Sequence, residues 1–135
     1  MRDYKFRGKR KDTGEWVKGD LIRSRIAVEA WINTHNLVTR KGEFIQPVPV
    51  DPSTVGQYVG LKDRNDVEIY EDDIIDCRRS GDEEYTVHVC IDDIRDLPQA
   101  LFGSNLLWCE AIGNIHDNPE LLEDIIAKAR EGEGK

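Results

Sequence analysis

The sequence predicts a mainly β (α+β) fold, a small β-barrel or roll with an N-terminal β-hairpin and one C-terminal α-helix. Three observations predict it. Apolar and polar residues alternate in short runs, the period of a strand with one buried face. Gly, Asn and Asp recur between those runs at hairpin spacing. A helical apolar stripe closes the chain, and the crossover helices that parallel strands need are missing between the strands.

The elements follow in order. Tyr4-Lys5-Phe6-Arg7-Gly8 alternates, Lys9 to Gly14 is a polar turn, and Glu15 to Ile22 resumes extended structure. Gly14 can supply the positive φ that such a hairpin uses. Phe6 and Trp16 are the expected core anchors of this 4–22 hairpin. Ile26 to Ile32 is rich in β-branched and aromatic residues and reads as strand. Leu37-Val38-Thr39 is a candidate paired strand. Phe44 to Val50 is extended, and Pro47 and Pro49 exclude it from a central position. Asp51-Pro52-Ser53-Thr54 reads as a turn or a single helical turn. The segment 23–54 is expected to be variable and loop-rich.

Val55 to Leu61 alternates and should be a strand. Lys62 to Asp66 forms a turn, a short apolar pair follows, and Glu71-Asp72-Asp73 is a second turn. Ile74 to Cys77 leads through Gly81 into Glu84-Tyr85-Thr86-Val87-His88-Val89-Cys90-Ile91, the best strand signal in the chain. Tyr85, Val87, Val89 and Ile91 should face one side and Thr86, His88 and Cys90 the other. Asp92 to Gly103 reads as a loop with one helical turn, and Leu106 to Ile115 as a strand. Asn118 suits an N-cap, Pro119 the first helical position and Glu120 the positive end of the dipole. Leu121, Leu122, Ile125, Ile126 and Ala129 form an apolar stripe. The count is about seven short strands and one helix, in a single domain 1–130 with a disordered tail 131–135.

The chain has 135 residues, enough to bury a core without disulfides or metals. Its formal net charge is −8, which argues against a sequence-independent grip on nucleic acid. The charge is uneven, and Arg2, Lys5, Arg7, Lys9 and Arg10 gather at the N-terminal end. Cys77, Cys90 and Cys109 are odd in number and none lies in a C-x-x-C pair, the pattern of a reduced compartment. A cytoplasmic location is expected, and no apolar run is long enough to cross a bilayer.

Four separated segments agree in order and spacing. They are Lys5-Phe6-Arg7-Gly8-Lys9 with Gly14-Glu15-Trp16-Val17 and Gly19-Asp20-Leu21-Ile22; Val55-Gly56-Gln57-Tyr58 with Gly60-Leu61-Lys62-Asp63; Glu68-Ile69-Tyr70-Glu71 with Asp73-Ile74; and Ile112-Gly113-Asn114-Ile115 with Asn118-Pro119-Glu120-Leu121-Leu122. Across 4–122 the sequence resembles the YopX-like family of phage and prophage proteins. The resemblance implies a partly SH3-like β-barrel and a phage or prophage source in a bacterial cell. It implies no known reaction and carries no catalytic residues. Its motif positions Gly60, Leu61, Asp63, Ile69, Tyr70, Asp73, Ile74, Gly113, Asn118 and Pro119 read as structural. Two positions depart from the family pattern. Asp72 stands where a glycine is usual, and Asn65-Asp66-Val67 lacks the usual turn glycine.

The chemical candidates are few. Asp72, Asp73 and Asp76, with Glu71, are the candidate ligands for a divalent cation, but they lack the spacing of a calcium loop. Turn capping is the plainer account, so no metal and no cofactor are expected. Cys77, His88, Cys90 and Cys109 are a candidate zinc set without the paired spacing of structural zinc. Histidines 35, 88 and 116 lie in unrelated contexts, with no phosphate loop and no nucleophile elbow, so an enzyme is not expected. Lys5, Arg7 and Lys9 with Trp16, and Tyr4 and Trp31 nearby, are the candidate binding residues.

Three functional readings follow. The first is a non-enzymatic accessory protein that binds a host or phage protein or assembles as a homo-oligomer. The second is a nucleic-acid-binding barrel using the basic hairpin. The third is a metal-dependent hydrolase using the 71–76 carboxylates.

Overall fold

The computed structural model describes residues 5–24, 28–34, 47–92 and 95–133, with side chains to residue 128. The chain forms two compact units, Met1–Tyr58 and Val59–Lys135.

The first unit is antiparallel sheet. β1 (Phe6–Lys9) and β2 (Trp16–Arg23) make the expected hairpin, with Phe6 opposite Gly19 and Lys9 opposite Trp16. Its turn closes as Arg10 N donates to Glu15 O at 2.9 Å and Gly14 N to Arg10 O at 2.9 Å. β2 pairs with β3 (Ala30–Asn33), β3 with β4 (Val48–Val50), and β1 on its other side with the start of β5 (Gly56–Lys62). The order is β4-β3-β2-β1-β5. Pro49 lies in β4, at the sheet edge, as its missing N–H requires. Alternation in β3 turns Ala30 and Ile32 inward, and with Val50 they form a core against which Phe6, Val17, Leu21 and Val55 pack. A 3-10 turn, Pro52–Thr54, is capped by Asp51, whose carboxylate accepts Ser53 N at 3.0 Å. Thr54 Oγ1 then accepts Lys9 N at 2.9 Å and ties this turn to β1. The segment 23–54 is thus partly regular, since it supplies β3, β4 and this turn. The strand expected at 37–39 lies outside the described residues.

In the second unit β5 ends in a hairpin to β6 (Glu68–Tyr70). β7 (Asp73–Arg79) lies between β8 (Tyr85–Cys90) and β9 (Leu106–Asn114), and both pairings are antiparallel. The central position of β7 explains why Ile74, Ile75 and Cys77 are all fully buried. Val59, Ile69, Ile75, Cys77, Ile91 and Leu101 form the core. The loop after β8 contains the expected helical turn, at Gln99–Leu101. α1 spans Pro119–Glu133 and so runs past residue 130, where the sequence reading ends the domain.

The described strands number nine, against about seven counted from the sequence, because three-residue strands such as β4 and β6 carry little periodic signal. Barrel closure requires the outer strands of a sheet to pair with each other. Among the described residues β8 and β9 remain the two edges of their sheet, and β4 is joined on its far side only by an isolated bridge of Val50 to Arg10, with Lys11 N donating to Pro49 O at 3.2 Å, so neither sheet closes as a continuous ladder. The architecture is therefore mainly β, with two antiparallel sheets and one helix and no closed barrel among the described residues.

Candidate functional site

The N-terminal basic residues do converge with aromatic rings. Lys5, just before β1, alternates with Arg7 and Lys9 of that strand, and the hairpin register sets Trp16 opposite Lys9. The Arg7 guanidinium lies 4.5 Å from the Trp16 ring centroid and the Lys9 ammonium 5.5 Å from it. Lys5 sits 5.7 Å from the Tyr58 ring. Each such contact contributes about 0.5–2 kcal/mol, more when desolvated. Arg7 is only 8% exposed, so its charge is directed at the ring beneath it rather than at solvent. The three cations thus lie on two rings, Arg7 and Lys9 on Trp16 and Lys5 on Tyr58, and a base stacking on that face of Trp16 would have to displace Arg7.

The acidic turn comes apart into separate jobs. Asp72 takes φ +72°, the left-handed region, so the backbone keeps the shape for which glycine is usual and aspartate tolerates it. Its N–H donates to Ile91 O at 2.6 Å, its carbonyl accepts Ile115 N at 3.0 Å, and its carboxylate lies 3.1 Å from His116 Nε2. The Asp73 carboxylate accepts Tyr70 N at 2.8 Å. Asp76 faces His88 across the β7–β8 ladder, with Oδ1 3.3 Å from Nε2 but not aligned as a hydrogen bond. Asp72, Asp73 and Asp76 therefore serve three different partners. Among the described residues no three His, Cys, Asp or Glu side chains gather as a metal set.

The register also divides the candidate zinc ligands. Residues paired across strands share a face. Cys77 pairs with Val87 and with Cys109, whereas His88 pairs with Asp76 and Cys90 with Ile74. Cys77 and Cys109 thus occupy one face of the sheet, and His88 and Cys90 the other. Burial pushes the Cys77 and Cys90 thiols up to about 11 and raises that of Cys109. Burial thus disfavours the thiolate that a cysteine nucleophile needs.

The motif positions fasten the second unit. Asp63 Oδ1 accepts the N–H groups of Asn65 at 2.8 Å and Val67 at 3.0 Å, closing the β5–β6 turn, and Oδ2 accepts Ala111 N of β9 at 2.9 Å. Asp66 stands in this turn at φ +65°, supplying the left-handed residue where the family glycine is missing. Gly60 lies exposed within β5 at φ +87°. Leu61 packs on the core, and Ile69, Tyr70 and Ile74 are fully buried.

At the start of α1, Asn118 stands before Pro119, as expected of a cap. Its Oδ1 is turned back to accept Asn114 N at 3.2 Å, while Asn118 N donates to Asn114 O at 2.8 Å. Asn114 Oδ1 in turn accepts the N–H groups of His116 and Asp117. A Cβ on Gly113 would overlap Asn118 Oδ1 and lie 2.8 Å from its Cγ. Gly113→Ala is expected to dislodge the Asn118 carboxamide and lower stability by about 1–2 kcal/mol. Urea melts of Gly113→Ala and Asn118→Ala check this, and similar losses in the two variants are expected.

Sequence reasoning missed one feature, the open edge of β8. The strand itself was legible in its alternation, but its neighbours were not. Ile91 N donates to Asp73 O at 2.8 Å, so alternation directs the backbone groups of residues 85, 87 and 89 to β7. The N–H and C=O groups of Thr86, His88 and Cys90 then point to the edge. β8 has six residues, no proline, no charged side chain and no register shift against β7. Other described edge strands are protected. β4 has Pro49, β6 has three residues, and β9 carries two register shifts and Glu110. Beside the first residues of β8 lies an open groove of about 500 Å³ lined by Arg79, Tyr85, Val87, Ala100 and Phe102. Arg79 holds its far wall by donating to Ala100 O at 2.6 Å and Phe102 O at 3.1 Å.

No curated protein matches the chain. The family model described as YopX protein matches residues 5–123, which span both compact units from β1 to the first turns of α1. The chain belongs to the YopX protein family.

Proposed function

We propose that the chain is a phage or prophage accessory protein that works by binding another protein in the host cytoplasm, without chemistry of its own. One observation carries this reading. Among the described residues no strand pairs with the outer side of β8, which leaves a six-residue sheet edge, a template for strand pairing, beside a groove walled by Tyr85 and Phe102. The acidic side chains and thiols that chemistry would recruit are engaged in folding contacts or held protonated. Nucleic-acid binding takes second place, because the basic residues of the hairpin lie on aromatic faces in a chain of net charge −8.

Native mass spectrometry on gently purified protein tests the reading. A second protein bound in fixed ratio, or a defined oligomer, is the expected result. A bare monomer carrying a stoichiometric metal or small molecule would overturn it.

A further inference from the structure

We infer that the β8 edge accepts an extended segment of a partner protein whose alternating, uncharged centre is flanked by Lys or Arg. This rests on the binding reading and names the chemistry of the partner. The backbone argument is that Thr86, His88 and Cys90 present their N–H and C=O groups away from β7, spaced to form an antiparallel or parallel ladder with an added strand. The side-chain argument is alternation. An added strand would set every second residue on the face of Tyr85 and Val87, over the groove bounded by Phe102 and Ala100.

Charge selects the partner. β8 itself is uncharged, but Asp82, Glu83 and Glu84 precede it and Asp92 follows it. Asp82 and Glu83 are exposed, Arg78 lies 3.2 Å from Glu84 and Arg79 lines the adjoining groove opposite Tyr85, so carboxylates still outnumber cations at that end of the edge. A strand with basic ends meets attraction at both ends. A second copy of β8 meets the opposite. In a two-fold antiparallel pair, the 82–84 carboxylates of one copy would stand near Asp92 of the other, and like charges facing each other across strands are destabilising. The neutral centre and acidic ends together favour a foreign segment over self-pairing.

The test uses the full chain, isotope-labelled for NMR, and the peptide Lys-Arg-Val-Thr-Val-Thr-Val-Lys-Arg, with a version in which Glu replaces each Lys and Arg. The basic peptide is expected to slow amide exchange at Thr86, His88 and Cys90. It should bind at least about tenfold more tightly than the acidic one and weaken with salt. Thr86→Pro removes an outward donor and no β7 hydrogen bond, so it should fold and lose about tenfold in affinity. Asp82→Lys with Glu83→Lys leaves the ladder untouched and should erase or reverse the preference between the peptides.

Equal binding of the two peptides, or protection confined to other strands, would overturn the inference. So would dimers that dissociate in Thr86→Pro, since a second copy would then be the occupant. A natural partner that still binds Thr86→Pro at full strength would also overturn it, while leaving the broader binding reading intact.

Discussion

Asp63→Asn is expected to lower the unfolding free energy by about 2–3 kcal/mol at neutral pH, and the loss should fade in acid. The carboxylate is 8% exposed and accepts three backbone N–H groups, two from its own turn and one from Ala111. Hydrogen bonds to a charged acceptor contribute about 1.5–3 kcal/mol each, and a stranded buried donor costs a similar amount. An asparagine keeps one oxygen. If that oxygen serves Asn65 and Val67, the new amide group meets the Ala111 N–H donor to donor. If it serves Ala111, the turn is abandoned instead.

The pH dependence has a definite sign. Burial opposes the charge of Asp63, but the donors from Ala111, Val67 and Asn65 outweigh it and hold its pKa below the ordinary 3.8. A depressed folded pKa contributes stability that is present above the unfolded value and lost as pH falls through the folded one. Urea melts of both proteins from pH 7 to pH 2 should therefore show a constant gap down to about pH 4 that narrows below it. Other carboxylates titrate in both proteins and cancel in the difference. A gap that widens in acid, or no gap at neutral pH, would mean the three bonds do not hold the turn to β9.

Asp63 also shows what the sequence could and could not tell. Its place in a turn was legible, because an aspartate after an alternating run and before Asn65 and Asp66 is local information. Its bond to Ala111 crosses 48 positions and leaves no periodic trace. The same divide runs through the molecule. Gly14 marked the β1–β2 hairpin, the prolines marked β4 as an edge, and the Asn-Pro-Glu run marked the start of α1. Alternation gives a strand its faces but not its neighbours, so β7 as a central strand and β8 as an open edge were invisible. For the same reason Cys77 was grouped with His88 and Cys90, although the register turns it to the other face. The basic hairpin residues read as a group in the sequence, but a list of cations and aromatics does not say whether the charges lie on the rings or beside them. The missing glycines of the 65–67 turn and of position 72 are legible as departures, and Asp66 and Asp72 both take positive φ in those turns.

Gly19→Ala should be at least as damaging, at about 3 kcal/mol, and for a different reason. Gly19 lies buried in β2, opposite Phe6 of β1. A Cβ there would overlap the carbonyl oxygen of Asn33, 2.9 Å from its carbonyl carbon and 3.0 Å from Thr34 Cα. These are backbone atoms, so no side chain can rotate aside. Asp20 and Asn33 are the first pair of the β2–β3 ladder, and relief requires β3 to move off β2 at that end. The damage should therefore be directional. Amides of β3 and β4 should lose exchange protection, while the β1–β2 turn keeps its own. Gly19 itself has φ +158°, near the extended limit, and Gly14→Ala gauges the cost of a left-handed backbone without crowding. Gly14 has φ +75°, and a Cβ added there would meet nothing within 4 Å, so only the left-handed backbone is penalised, by about 1 kcal/mol. Equal losses at the two glycines would show that conformation alone matters. A threefold larger loss at Gly19, with exchange rising in β3 and β4, would place the requirement in the close approach of β2 to β3.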